Sequence, residues 1–161
     1  MSTIPVALVT GASGDIGGAI AKTLGGHGWH VIGTYVGAAD AAAQTVAAII
    51  DVGGSAEAMQ LDQRDPAAIE AIISNIDERY GHLDVLVNNA AWNIGIPFRR
   101  LDDLTADIWD RVMETNLRAP FLLARAAAKL LKAGDGGHIV NISSAGGISP
   151  VSYTHLTLPT T

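Results

Sequence analysis

The chain has 161 residues, 48% hydrophobic and 16% charged, which is enough for one domain with a real core and too little for two. A formal net charge of −6 argues against a nucleic-acid-binding surface, and the lack of cysteine excludes disulfides and thiolate chemistry. No stretch approaches the roughly 18 apolar residues of a membrane span, and the N-terminus lacks the basic start of a signal peptide, so a soluble cytoplasmic protein is expected.

The first strand-like run, IPVALVT over 4–10, opens directly into TGASGDIGGAI, and a helical pattern follows near 15–27. Small residues at such a turn (Gly11, Gly14 and Gly17) let the backbone approach a pyrophosphate. The helix N-terminus adds free N–H groups and the positive end of its dipole. Ser13 offers a hydroxyl donor. The second strand, HVIGTY over 30–35, leads into a helical pattern near 39–52. An NAD-binding chain would carry Asp or Glu near Tyr35 for the ribose 2′-OH. GTYVGAAD has no acid there, since Asp40 comes late, and it has no Arg or Lys either.

The third strand, EAMQL over 57–61, ends in LDQRD, which places Asp62 at a strand terminus. Asp65 before Pro66 reads as an N-cap followed by proline at the first helical position, opening a helix over 66–80 that stops at Gly81. LDVLVNNA over 83–90 is the fourth strand, with Asn88 and Asn89 at its end. A long helical pattern over 106–132 carries Asn116 in ETNLRAPF and Pro120, where a kink or boundary is expected, before a stop at Gly134. HIVNIS over 138–143 is the fifth strand; Ser143 and Ser144 lie at its end, and His138 starts it without an assigned role. The strands are apolar nearly throughout, as when both faces of a sheet are covered. Their alternation with helices predicts an α/β fold, a Rossmann-type doubly wound parallel sheet in the order 3-2-1-4-5.

Each feature alone has a plainer reading: a tight turn, a helix cap, or asparagines tying loops together. In this order, however, TGASGDIG, LDQRD, LVNNAA, ETNLRAPF and HIVNISSAGG resemble the short-chain dehydrogenase/reductase family, nearest its 3-oxoacyl-carrier-protein reductase-like branch, from residue 4 to about 150. The resemblance implies an NAD(P)(H)-dependent oxidoreductase that transfers hydride between nicotinamide and a small-molecule carbonyl or alcohol, as a homodimer or homotetramer. It implies a cofactor loop of Thr10, Gly11, Ser13, Gly14, Asp15, Ile16 and Gly17, and an adenine contact at Asp62. Asn88, Asn89 and Ala90 fall on the nicotinamide-ribose side. Asn116 matches the asparagine that supports a proton-relay water, and Ser144 the catalytic serine. The missing acid near Tyr35 tips the cofactor towards NADP(H) over NAD(H).

Two departures stand out. Asp15 occupies the middle glycine position of the family's TGxxxGxG, and the spacing of Gly11, Gly14 and Gly17 is similar to the extended branch of sugar-nucleotide epimerases. Asp15 is tolerable beside a pyrophosphate if it points outward and complements the dipole. The second departure is the acid–base pair. Family spacing places the catalytic tyrosine about thirteen residues past Ser144, near Thr157, and its lysine near Thr161; Tyr153 comes too early, and Pro159 opposes the helix. Residues 151–161, VSYTHLTLPTT, read as a translated sequencing adaptor, so 1–150 is expected to be an incomplete dinucleotide-binding domain with a foreign tail. The chain as given is then expected to be inactive and prone to aggregate through an unpaired fifth strand. A non-catalytic dinucleotide-binding or regulatory module and an epimerase-like enzyme of the extended branch are the alternatives.

Overall fold

The computed structural model describes residues 4–134 and 136–144. Tyr153, Thr157, Thr161 and the expected foreign tail lie outside the described residues. Strands β1 (Val6–Val9), β2 (His30–Tyr35), β3 (Ser55–Gln60), β4 (Val85–Asn88) and β5 (His138–Asn141) form one parallel sheet in the order β3-β2-β1-β4-β5. This is the expected doubly wound order. Chain direction reverses its sense of progression beside β1, so a crevice opens between the carboxyl ends of β1 and β4.

Side-chain alternation along β1 builds two cores. Val6 and Leu8 face one side, where they join Ile69, Ile72, Ile73 and Ile76 of α3 (Pro66–Tyr80) and Leu123, Ala127 and Leu130 of α5 (Ala119–Leu131). Ala7 and Val9 face the other, with Ala21 of α1 (Asp15–Gly26) and Ile49 of α2 (Ala39–Ile50). All four β1 residues are at most 1% exposed. They form the rigid floor beneath the glycine loop.

Local signals set both ends of α3 as expected. Asp65 accepts from Ala67 N at 2.9 Å with Pro66 at the first helical position, and Gly81 ends α3 at φ 71°, a backbone conformation costly for residues with a Cβ. The long pattern over 106–132, by contrast, is divided. α4 (Ala106–Met113) passes into a π-helical turn (Glu114–Arg118) before α5 begins. The expected break at Pro120 thus falls one turn upstream. Proline has no N–H to give to the carbonyl four residues earlier, and the chain widens so that Ala119 N bonds to Glu114 O instead.

The expectation of strands covered on both faces holds for β1, β2 and β4 and fails at both edges. β3 carries Glu57, which takes hydrogen bonds from Arg79 (2.8 Å) and Tyr80 (3.0 Å) at the end of α3. Burial raises the pKa of Glu57, but bonds from Arg79, His30 and Tyr80 outweigh it and leave the carboxyl below its ordinary value. Every residue of β5 is exposed, including Ile139 at 44% and Val140 at 43%. A flat apolar edge is a template for association, which a charge blunts. Val140→Lys in this 161-residue chain is therefore expected to raise the soluble fraction about two-fold. Soluble yield at matched expression measures it, and an unchanged yield would exclude β5 as the sticky edge.

Candidate cofactor site

At the carboxyl edge of the sheet lies a cavity of about 630 Å³. Its floor is the turn from β1 into α1. Gly11 has φ 70°, and Gly14 N donates to Gly11 O at 3.1 Å, folding the loop tightly. Gly14 is the N-cap of α1 and no described side chain caps that helix, so its first N–H groups face the crevice. A Cβ on Gly17 would collide with Gly11 O and stand 2.5 Å from Asn89 Nδ2. The cradle therefore exists only with hydrogen at that position.

Thr10 and Asn89 hold this floor to the end of β4. Thr10 Oγ1 accepts from Asn89 N and Ala90 N, both at 2.9 Å, and donates to Val87 O at 3.3 Å. One hydroxyl proton and two lone pairs are all in use. Asn89 Nδ2 returns a bond to Thr10 O at 2.8 Å. The fourth-strand asparagines thus divide their work. Asn89 lines the cavity, whereas Asn88 is buried and donates to Asn141 Oδ1 of β5 at 2.8 Å.

The far wall comes from the ends of β2 and β3 and from the π-helical turn. Thr34, Tyr35 and Val36 line it with Asp62, Gln63 and Arg64. Gln63 Nε2 donates to Ala90 O (3.0 Å) and Thr115 O (2.8 Å), tying three segments into one wall. Thr115 Oγ1 is buried there without a hydrogen-bond partner among the described residues. Trp92 is fixed by Asn116, whose Oδ1 accepts from Trp92 N and whose Nδ2 donates to Trp92 O, each at 2.8 Å. The Arg111 guanidinium stacks on the Trp92 ring at 4.2 Å.

Asp62 is the main acid of that wall. The Arg64 side chain bonded to it is the chief reason its carboxyl sits below the ordinary value; partial burial opposes this, and Arg111 adds a smaller lowering. The pair therefore contributes stability in full above the usual aspartate value of about 3.9, and loses it as pH falls through the lower folded-state value. Asp62→Asn is expected to flatten the acid limb of a stability-against-pH curve below pH of about 4. Chemical denaturation between neutral and acid pH checks this, and an unaltered limb would contradict it.

Of the residues expected from sequence, Gly11, Ser13, Gly14, Asp15, Ile16, Gly17, Asp62, Asn89 and Ala90 meet at this one cavity. Asp15 occupies the exposed first turn of α1, where its charge complements the dipole. Thr10 and Asn88 lie beneath the cavity as struts. Asn116 acts on Trp92 through both ends of its amide. Ser144 is exposed at the same sheet edge, three residues past β5, and is not in the cavity wall. Arg64, Gln63, Thr115, Trp92 and Arg111 were not expected. Arg64 and Gln63 stood in view inside LDQRD, but Trp92 reaches the wall on the loop after β4, Arg111 on α4 and Thr115 on the π-helical turn that follows it.

Glycine-restricted floor, uncapped helix N-terminus, orphaned hydroxyl and acceptor carboxylate together suit a dinucleotide: anionic phosphates at the helix end and a base with N–H donors at the β3 side. The comparisons agree with that geometry. A family model described as short chain dehydrogenase matches residues 5–155. Versicolorin reductase of Emericella nidulans is 38% identical over 86% of this chain and 51% of its own length. The 3-oxoacyl-[acyl-carrier-protein] reductase of Salmonella typhimurium is 37% identical over 88% of this chain and 55% of its own. A metagenomic short-chain oxidoreductase solved in complex with NADP is 39% identical, with a TM-score of 0.84 over 93% of this chain and 66% of that one. The chain spans about half the length of the curated relatives it matches.

Proposed function

The chain belongs to the short-chain dehydrogenase family, and on that footing we propose that the whole protein is an NADP(H)-dependent oxidoreductase acting on a small carbonyl or alcohol substrate. The observation that carries this reading is the cavity floor, where Gly11, Gly14 and Gly17 expose the N-terminus of α1 and Thr10 and Asn89 lock the loop in place. When bound, the nicotinamide supplies the hydride. The loop N–H groups and Ser13 would bind the phosphates. Asp62 would accept from the adenine, and Asn89 and Ala90 would border the ribose on the other side.

Ser144 would hold and polarise the substrate oxygen, and Asn116 would shape the proton path while it positions Trp92. Preference for NADP(H) rests on the missing acid near Tyr35 and on the NADP complex of the 39% identical oxidoreductase. Carbonyl reduction as the physiological direction rests on the reductases among the relatives. The reading includes a cytoplasmic homodimer or homotetramer; among the described residues no helix is long and apolar enough to cross a membrane.

For residues 1–161 taken alone, we propose binding without turnover, because the positions where family spacing places the tyrosine and lysine hold Thr157 and Thr161. Fluorescence titration with NADPH and NADH, followed by an NADPH oxidation assay over a ketone panel, tests both parts. The expected result is tighter binding of NADPH and no oxidation. Oxidation of NADPH with any ketone would overturn the second part, and failure to bind either nucleotide would overturn the first.

A further inference from the structure

The acid of the adenosine-side wall is not free. Arg64 N and Arg64 Nε both donate to Asp62 Oδ1 at 3.0 Å, and Arg64 Nη2 donates to Asp62 Oδ2 at 2.6 Å. A carboxylate offers about four acceptor sites. Oδ1 is filled and Oδ2 keeps one. The main chain at Arg64 is itself held, since Arg118 Nη2 donates to Arg64 O at 3.2 Å. Asp62 lies at the end of β3, in the half of the sheet where the first mononucleotide unit seats its nucleoside.

We propose that Arg64 is a positioning residue for base selection: by pinning the Asp62 carboxylate it leaves a single acceptor, on Oδ2, for the exocyclic amino group of the purine. The proposal rests on the NADP(H)-binding reading above. A 6-amino purine donates to that site. A 6-oxo purine turns a carbonyl oxygen towards a fixed carboxylate and leaves both unpaired, which is the situation in which a polar site discriminates most strongly. Without the guanidinium fork only the residue-64 backbone N–H still holds Oδ1, and the freed Oδ2 swings, admits water, and loses the geometry on which rejection depends. Lysine keeps the charge but cannot reproduce two parallel bonds.

The test is the ratio of dissociation constants for NADPH and for its hypoxanthine (deamino) analogue, measured by calorimetry on purified wild type, Arg64→Ala and Arg64→Lys. Wild type is expected to favour the adenine form about tenfold or more, and both variants to fall within about threefold. A general loss of packing weakens both ligands alike and leaves the ratio where it was. The lysine variant also keeps the test alive if the alanine variant does not fold. A wild-type ratio near one, or a wild-type-like ratio in either variant, overturns the proposal while leaving the dinucleotide reading intact. Failure of wild type to bind either nucleotide overturns both.

Discussion

Gly17→Ala is expected to weaken NADPH binding by at least about tenfold and to cost the fold about 1–3 kcal/mol. The added methyl meets Gly11 O and lies 2.5 Å from Asn89 Nδ2, and neither neighbour can yield cheaply. Gly11 O belongs to the turn that forms the floor. Asn89 Nδ2 is bonded to Thr10 O at 2.8 Å. Moving either opens the loop that brings the helix N-terminus to the phosphates. Gly26→Ala is the control, because a Cβ there meets nothing within 4 Å on the same helix. It should leave affinity unchanged. Equal affinities for the two variants would mean that the floor does not touch the ligand.

The second large effect belongs to Thr10. Thr10→Val keeps the shape and removes the hydroxyl, leaving Asn89 N and Ala90 N without an acceptor beneath a residue only 1% exposed. Each unpaired buried amide costs about 1–3 kcal/mol, so a loss of about 2–6 kcal/mol is expected. Thr10→Ser retains the acceptor and removes one methyl, for about 0.5–1.5 kcal/mol. Urea denaturation of the two variants measures the gap. Similar midpoints would show that water replaces the hydroxyl and that the strut is not needed.

These two residues also mark how far the sequence could be read. Gly17 was legible because its constraint is local: a strand, a turn and a helix follow within a few residues, and only a small side chain fits between them. The caps at Asp65 and Gly81 are local in the same way. Thr10 was legible as a member of the loop but not as a strut, because its partners Asn89 and Ala90 lie about eighty positions away along the chain. Asn116 shows the same limit. The motif marked it, yet its clamp on Trp92 depends on the π-helical turn, which Pro120 induces one turn upstream of itself.

The edges of the sheet were misread for a related reason. Apolar runs indicate burial on both faces only when something packs there, and β5 has the composition of a covered strand without the cover among the described residues. In β3 the polar residues Glu57 and Gln60 already signalled an edge. Arg64 was visible throughout, but its fork onto Asp62 takes shape only once the chain turns back two residues after β3.

Hydrogen exchange with and without NADPH tests the central claim most directly. Binding at the glycine floor predicts that amides of residues 11–18, 34–38, 62–64 and 89–92 slow on addition of the nucleotide, while those of β5 do not change. Protection absent from 11–18, or spread evenly over the sheet, would contradict a dinucleotide seated on the N-terminus of α1.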